Sequence, residues 1–186
     1  MALSARPRAS ASAADGSSPM YCALSGLPRL VGTTLQTIPA LIPYLCADPG
    51  KVTAWADRLS GLVPAGYHRL GLAWAGRPTH VNDRNRSTTL ATLAPIGELP
   101  RLVLILLQKG RAPAQIGAFW GRAPLVNLGP EIADFADAMA IIEELDLIVT
   151  IDTVVGRLAG AMGRPVRLML PFAPDWRWLL DRADSP

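Results

Sequence analysis

Cysteine, histidine and lysine are scarce in this 186-residue chain, with two residues of each. Cys22 and Cys46 have neither the spacing of metal ligands nor the number that a disulfide framework requires, and two lone cysteines are typical of a reducing compartment. The histidines, His68 and His80, form no recognisable catalytic pair and are interpreted as loop residues. The sequence therefore favours a cytoplasmic protein.

Long apolar runs and runs of one charge are also absent. No stretch approaches the roughly 18 consecutive apolar residues of a transmembrane helix. The net charge of +3 is spread along the chain, without the Lys/Arg cluster that indicates nucleic-acid binding. Half of the residues are hydrophobic and 18% are charged, so the chain can bury the core of one α/β domain, or of one domain plus a fragment.

The most informative stretch runs from residue 146 to residue 171, DLIVTIDTVVGRLAGAMGRPVRLMLP. Its residues 147–151 are an unbroken apolar, β-rich run, as in a strand buried on both faces of a parallel sheet. Apolar and small residues then recur at helical spacing until Gly163 and Pro165, which favour the end of a helix. A second strand, residues 166–170, completes a strand–helix–strand unit.

Asp152 and Thr153 lie where the first strand of this unit ends and its helix begins. In an open α/β sheet, ligands bind outside the carboxyl ends of the strands, and the N–H groups of a helix N-terminus can hold a phosphate. A simpler interpretation is that one of these side chains only caps the helix, which contributes about 1 kcal/mol. A cap and a ligand site are compatible, so both interpretations stay open.

The rest of the chain continues the alternation of strands and helices. Three further strands are predicted, at residues 70–74, 102–107 and 125–128. Short helices are predicted after residue 89, with Ser87 or Thr88 as the cap, and within residues 111–121. A longer helix begins at Asp134, and its predicted apolar face consists of Phe135, Met139, Ile142 and Leu145. This order predicts a Rossmann-like, doubly wound parallel sheet.

Polar residues follow three of the predicted strands at one edge of this sheet. They are the loop from Gly76 to Arg86, the pair Gln108-Lys109, and Asp152-Thr153 with Arg157 one turn later. Arginine, lysine and a helix N-terminus can supply the countercharge of a pyrophosphate, so we expect no metal ion. The sequence contains neither a P-loop lysine after GLAWAGRP nor a G-x-G-x-x-G after a predicted strand. Taken singly, Lys109, Arg84 and Arg86 could be solvated surface charges, and only their common edge argues for a site.

The chain divides into three parts. Residues 1–19, rich in alanine, serine and arginine, are interpreted as a disordered tail rather than a transit peptide. Residues 20–66 begin with an apolar segment that prolines interrupt too often for a helix of useful length. They continue with a helix that Asp48 caps and Pro49 opens. Residues 67–186 form the predicted sheet domain.

Four segments carry a resemblance to a known family: GLAWAGRPTHVNDRNRS, LILLQKG, LGPEIADFADAMAIIEELDLIVTIDTVVGRLAGAMGRPV and LPFAPDWRWLLDRADSP. Together they resemble the C-terminal half of GT-B glycosyltransferases related to the heptosyltransferases (glycosyltransferase family 9). The resemblance covers about residues 21–186 and extends to bacterial proteins in which this domain follows tetratricopeptide repeats. It implies one half of a GT-B fold, in which two Rossmann-like domains clasp a nucleotide-sugar. Residues 20–66 then correspond to the tail of the N-terminal domain and a linker helix.

The resemblance implies a role in nucleotide-sugar binding for nine residues: Gly76, Asn85, Arg86, Gln108, Lys109, Asp152, Thr153, Val154 and Arg157. The loop with Asn85 and Arg86 would line the donor cleft, and Lys109 would face the phosphates. Asp152, Thr153 and the following helix N-terminus would bind the diphosphate and the adjacent sugar or ribose. No catalytic residue is identified. Trp176 and Trp178 are interpreted as packing residues rather than as a platform for a base or sugar.

The chain departs from this family at several points. Arg157 stands where the family usually has a histidine, Arg167 stands where it has an apolar or aromatic residue, and little of the chain corresponds to the N-terminal domain. Two interpretations follow. The chain is the donor-binding domain of a glycosyltransferase, with a separate acceptor domain or a tetratricopeptide-repeat region as partner, or it is a truncated, non-catalytic relative that serves as a binding or interaction domain. In both cases we expect no sugar transfer by this polypeptide alone.

Overall fold

The computed structural model describes residues 22–38, 41–110, 112–175 and Trp178, so the predicted tail of residues 1–19 lies outside the described residues. The described residues belong to two compact units. In the first, a 3-10 turn, Leu24–Gly26, leads into a single-turn helix α1, Leu27–Leu30, which has Pro28 in its first turn. Within residues 22–38 no longer helix occurs, as predicted from the prolines.

The second unit, which begins at Leu41, is built on a five-stranded sheet in which every pairing is parallel. Its strands are β1 (His68–Ala73), β2 (Leu102–Leu106), β3 (Leu125–Asn127), β4 (Leu147–Ile151) and β5 (Val166–Met169). Its α-helices are α2 (Pro49–Ser60), α3 (Asp83–Arg86), α4 (Phe135–Glu143) and α5 (Val154–Ala161). Two 3-10 helices cover Ala91–Glu98 and Ala112–Ala118. None of the helices in the described ranges has both the length and the apolar character needed to cross a bilayer.

The strand order across the sheet is β3-β2-β1-β4-β5. The chain therefore moves outward from β1 through β2 to β3 and then returns to add β4 and β5 on the other side of β1. This confirms the predicted Rossmann-like, doubly wound sheet, and the predicted strand over residues 147–151 matches β4 in full. The order reverses between β1 and β4, and in such sheets the crevice at that reversal is where ligands bind.

Residues of the central strands point alternately into two buried clusters, one on each face of the sheet. In β2, Val103 and Ile105 belong to the cluster beneath α2, α4 and α5, whereas Leu104 and Leu106 belong to the cluster beneath the two 3-10 helices. All five residues of β2 are buried, which explains why this strand reads as a continuous apolar run. Arg167 is exposed on β5, which is an edge strand, so its charge stays in water.

The predicted cap of α2 and the predicted start of α4 are both confirmed. The Oδ1 atom of Asp48 accepts the N–H of Lys51 at 2.9 Å, directly before α2, and Pro49 occupies its first position. The Oδ1 atom of Asp134 accepts the N–H of Asp137 at 2.8 Å at the start of α4. In both cases a local carboxylate satisfies an N–H group that the helix itself leaves without an acceptor.

Two other local predictions were wrong. Neither Ser87 nor Thr88 caps the 3-10 helix Ala91–Glu98, because that helix begins after Leu90 without a side-chain cap. Phe135 does not share the buried face of α4 with Ile142, since its side chain is 64% exposed. As the first residue of the helix, Phe135 projects at the carboxyl edge of the sheet, where it lines a cleft.

Candidate functional site

A cleft of about 1200 Å³ opens at the carboxyl edge of the sheet, where β1, β2 and β4 end and α4 and α5 begin. Eight of the nine residues predicted to bind a nucleotide-sugar line this cleft: Gly76, Arg86, Gln108, Lys109, Asp152, Thr153, Val154 and Arg157. Asn85 is not among its lining residues, and its amide instead donates to Oδ1 of Asn82 at 2.7 Å. The topology thus brings together residues from three separate segments.

Gln108 is buried at the end of β2 and joins the ends of two strands. Its Oε1 atom accepts the N–H groups of Trp74 and Ala75 at 3.0 and 2.9 Å. Its Nε2 atom donates to the carbonyl groups of Ala75 and Lys109, both at 3.0 Å. A carboxamide has two donor hydrogens and one acceptor oxygen with two lone pairs, so this side chain is fully used within the chain. Gln108 shapes the floor of the cleft.

Arg86 links the loop after β1 to the end of β4. Its Nη1 atom donates to the carbonyl oxygen of Asp152 at 3.0 Å, and its Nε atom lies 3.5 Å from Oδ1 of Asp83. The same Asp83 oxygen accepts the hydroxyl of Ser87 at 2.9 Å, while Ser87 accepts the N–H of Gly76 at 2.9 Å. Within the described residues the buried Nε atom of Arg86 has no hydrogen-bond partner. This network fixes the cleft loop and leaves one guanidinium donor unsatisfied.

Lys109 is held on the opposite wall of the cleft. Its Nζ atom donates to the carbonyl oxygen of Ile132. The next residue, Ala133, donates its N–H to Oδ2 of Asp137 at 2.9 Å. The Oδ1 atom of Asp137 accepts the Nζ atom of Lys51 at 2.5 Å. A continuous chain of contacts therefore runs from α2 through α4 to the ammonium group of Lys109.

This chain of contacts is electrostatically consistent. The ammonium of Lys51 and the N–H of Ala133 hold the pKa of Asp137 below its usual value, because both stabilise the carboxylate. Hydrogen bonding to Asp137, together with the nearby Asp134, raises the pKa of Lys51. Both groups are therefore charged at neutral pH, and the wall that carries Ile132 and Ala133 is anchored by an ion pair.

The N-terminus of α5 opens directly into the cleft. Thr153 occupies the N-cap position with an extended backbone, but its side chain makes no capping bond and its Oγ1 atom lies 3.2 Å from Oγ1 of Thr150. Thr153 therefore occupies the N-cap position, but its hydroxyl does not accept an N–H group of α5. The N–H groups of Val154, Val155 and Gly156 open the helix and have no acceptor within it. They carry the positive end of the helix dipole, which attracts an anion.

Asp152 is flanked by two donors from different elements. Its Oδ1 atom accepts Nη2 of Arg157 at 3.1 Å, and its Oδ2 atom accepts the indole N–H of Trp178 at 3.1 Å. The carboxylate is mostly buried, whereas the side chain of Arg157 is 52% exposed. The contact with Trp178 is one that the sequence did not reveal, since nothing in the DWRW segment indicates which tryptophan turns back to β4. Trp176 lies outside the described residues.

Part of the cleft wall is apolar, and apart from Val154 this part was missed by sequence reasoning. Phe135 at the start of α4 and Val154 at the start of α5 are both strongly exposed there, beside Ile132, Ala138 and Val155. An aromatic ring at a helix start is not distinguishable in sequence from a core residue at helical spacing. The cleft therefore combines cationic groups, Lys109, Arg157 and the α5 N-terminus, with exposed apolar side chains.

No protein-family model matches the chain. It is similar to Protein FlbA of Caulobacter vibrioides, with 28% identity over 152 residues that cover 77% of this chain. Those residues represent 24% of FlbA, so the chain spans about a quarter of the length of that curated relative.

Two solved structures share the architecture of this chain. One is described as the E. coli ADP-heptose LPS heptosyltransferase II, with a TM-score of 0.53 and 19% identity, over 72% of this chain and 41% of the other. The second is a glycosyl transferase of family 9 from Veillonella parvula, with a TM-score of 0.51 and 11% identity, over 77% of this chain and 40% of the other. The chain therefore has the α/β fold of about two-fifths of these glycosyltransferases.

Proposed function

We propose that the cleft binds a nucleoside diphosphate sugar and that the diphosphate lies against the N-terminus of α5. The observation that carries the proposal is that Lys109, Arg157 and the N-terminus of α5, whose first N–H groups have no acceptor within the helix, all line one cleft. N–H dipoles at a helix N-terminus and cationic side chains are the usual way to hold a diphosphate when no metal ion takes part. The three carboxylates of the cleft, Asp83, Asp134 and Asp152, each accept donors of the chain itself.

The apolar wall of the cleft offers a surface on which the nucleoside can pack. The ring of Phe135 is exposed at the cleft, and Val154 lies at the beginning of the helix proposed to hold the phosphates. Burying such side chains under a heterocyclic base removes apolar surface from water, which contributes about 25 cal/mol per Å². An apolar cleft with a few convergent polar groups is the usual form of a small-molecule site.

Within a glycosyltransferase, this domain's task would be to stabilise the departing diphosphate. Charge grows on the diphosphate as the glycosidic bond breaks, and preorganised donors stabilise that charge without reorganising. The fold shared with the family 9 structures supports this assignment. We further propose that the partner of this domain is a separate acceptor domain or a tetratricopeptide-repeat region. We also propose that the protein is bacterial and acts in the cytoplasm.

A second candidate is a domain that binds the nucleotide without transferring sugar. The observation that favours it is Arg157, which occupies the helix position beside Asp152 and forms an ion pair with it at 3.1 Å. Arginine remains charged at all physiological pH values, so it can hold a phosphate but cannot exchange a proton with it. Donor binding is common to both candidates, so the first experiment tests binding.

The test is thermal stabilisation of the full chain by a panel of nucleoside diphosphates and their sugars, without magnesium. We expect at least one compound to raise the melting temperature at millimolar concentration. Lys109→Ala should weaken that compound's binding by about 1.5–3 kcal/mol, the range for a hydrogen bond to a charged group, or about ten- to a hundred-fold.

Arg122→Ala is the matched control, because it also removes one positive charge but lies outside the cleft, with 88% of its side chain exposed. It should bind as the unmodified chain does. If no compound of the panel raises the melting temperature, the proposed function is contradicted.

A further inference from the structure

One peptide group in the wall of the cleft is held at both of its polar ends. It joins Ile132 to Ala133 in the turn before α4, and both residues line the cleft. Its carbonyl oxygen accepts the ammonium of Lys109, and its N–H donates to Oδ2 of Asp137 at 2.9 Å. A trans peptide group is planar and rigid, so its carbonyl and its N–H point in opposite directions and fixing one fixes the other. The direction of the carbonyl that Lys109 meets is therefore set by Asp137.

Asp137 also has a local role that any acid at its position could fill. It lies in the first turn of α4, where the helix dipole favours a carboxylate and where its oxygens can accept an N–H group that precedes the helix. Aspartates are mostly exposed, however, and Asp137 is the only buried residue with a charge in the part of the chain that the structure describes. Burying a carboxylate costs free energy unless a cation compensates it. Capping alone therefore does not explain this residue.

Lys51 supplies the compensating cation from a distant part of the chain. Its Nζ atom lies 2.5 Å from Oδ1 of Asp137 and 3.6 Å from Oδ1 of Asp134, so it reaches from the first turn of α2 to the start of α4. A buried ion pair is often no more stabilising than apolar residues of the same volume. Its distinctive effect is geometric, because Asp137 can turn away from the peptide group only by breaking the pair.

We propose that Asp137 and Lys51 are positioning residues for Lys109. Lys51 holds the carboxylate of Asp137, and Asp137 orients the peptide group described above. The carbonyl of that group then directs the ammonium of Lys109, which has three donors and can use the others for a phosphate. Neither Asp137 nor Lys51 lines the cleft, so their effect on a ligand must pass through groups that do. The inference rests on the proposed function, since it concerns the cation assigned to the diphosphate.

A double-mutant cycle on the full chain separates positioning from a loss of packing. The Kd of UDP, GDP or ADP, whichever binds the unmodified chain, is measured by calorimetry, or by phosphorus NMR where binding is weak, at a temperature at which every variant is folded. We expect Lys51→Met and Asp137→Ala each to raise this Kd about fivefold, within the range of couplings between contacting residues. In a chain that already carries Lys109→Ala, neither should raise it further, because the residue to be positioned is gone. Lys51→Arg keeps the cation and should bind as the unmodified chain does.

Arg58→Met is the matched control. Arg58 is also a cation of α2, and its Nη2 atom lies 3.1 Å from Oε1 of Glu131, directly before Ile132 in the same turn. The peptide group after Ile132 bonds Lys109 and Asp137 instead. Removing the Arg58 pair should therefore leave the Kd unchanged.

A second measurement needs no ligand. In Lys51→Met, Lys109 is the one lysine left, and its release from the carbonyl of Ile132 should speed its acetylation, whereas Arg58→Met should not. If a diphosphate binds but its Kd rises equally with and without Lys109, or does not rise, the positioning role is wrong while the proposed function stands. If no diphosphate binds, the proposed function fails. The acetylation rate then decides the positioning role by itself, because a faster rate supports it and an unchanged rate overturns it.

Discussion

At the scale of single residues, the cleft depends on side chains that are held before any ligand arrives. The ammonium group of Lys109 is bound to the carbonyl of Ile132, and the adjacent Ala133 is bound to Asp137. Fixing a lysine side chain costs up to about 2 kcal/mol in lost conformational entropy, and part of this entropy is already lost in the ligand-free chain. A fixed cation binds a diphosphate with less loss of entropy on binding.

The scarcity of lysine makes this position directly measurable. Lys51 and Lys109 are the only lysines, so an amine-reactive acetylating reagent modifies two side chains besides the N-terminus. We expect a bound nucleoside diphosphate at ten times its Kd to slow acetylation of Lys109 about tenfold, since only the free fraction reacts. Lys51, which is outside the cleft, is the internal control, and mass spectrometry of the two peptides gives both rates. Equal rates for Lys109 with and without a ligand that stabilises the chain would place the binding elsewhere.

At the scale of elements, α2 and α4 are joined by the pair of Lys51 and Asp137. The pKa of Asp137 is lowered in the folded chain, chiefly by Lys51, so the pair's contribution is fully present above the ordinary aspartate pKa of about 3.9 and is lost as the pH falls through the lowered value. We expect Lys51→Met to lower the melting temperature at pH 7, and the difference from the unmodified chain to shrink as the pH falls below about 4. Thermal unfolding between pH 3 and pH 7 tests this. A difference that is the same at every pH would show that the loss is one of packing alone.

The junction of β2 and β3 requires a residue without a side chain. A β-carbon at Gly129 would overlap the carbonyl oxygen of Gln108, which is backbone and cannot move aside by rotating. We expect Gly129→Ala to cost about 1–3 kcal/mol, the range for overpacking, or roughly 2–12 °C in melting temperature. Gly160→Ala in α5 is the opposite case, because nothing lies within 4 Å of the added atom. It should stabilise the chain by about 0.5–1 kcal/mol, and the same sign for both variants would contradict this account.

These elements show how far sequence reasoning reaches. β4 and the position of α5 were predictable, because an apolar run and helical spacing are properties of consecutive residues. The role of Ser87 was not predictable from the sequence, because its hydroxyl bonds Asp83 and Gly76 rather than the helix that follows it. The bond of Trp178 to Asp152 joins residues 26 positions apart and depends on the path of the segment after β5. The sequence thus located the strand ends, and long-range contacts decided which side chains face the cleft.

At the scale of the whole molecule, the strand order produces the site. β1 lies between β2 and β4, so the loops that follow these three strands meet at one edge. The residues that follow these strands are far apart in sequence. They are adjacent in space because β2 and β4 are added on opposite sides of β1. The family 9 structures share this α/β fold over about two-fifths of their length, and we propose that a second domain brings an acceptor to the cleft.

The last prediction concerns turnover by this polypeptide alone. Transfer requires a base within hydrogen-bonding distance of the acceptor hydroxyl and an acceptor held about 3–3.5 Å from the sugar carbon. Among the described residues, the cleft carboxylates Asp83, Asp134 and Asp152 already accept donors of the chain, and Nδ1 of His80 accepts the N–H of Asn82. We expect the purified chain to bind a donor sugar but to release nucleoside diphosphate only at the background rate, with Arg157→His no faster. Release should rise when the N-terminal domain of a relative is added. Steady release by the unmodified chain, abolished by Lys109→Ala, would contradict this expectation and show that the chain itself supplies a base.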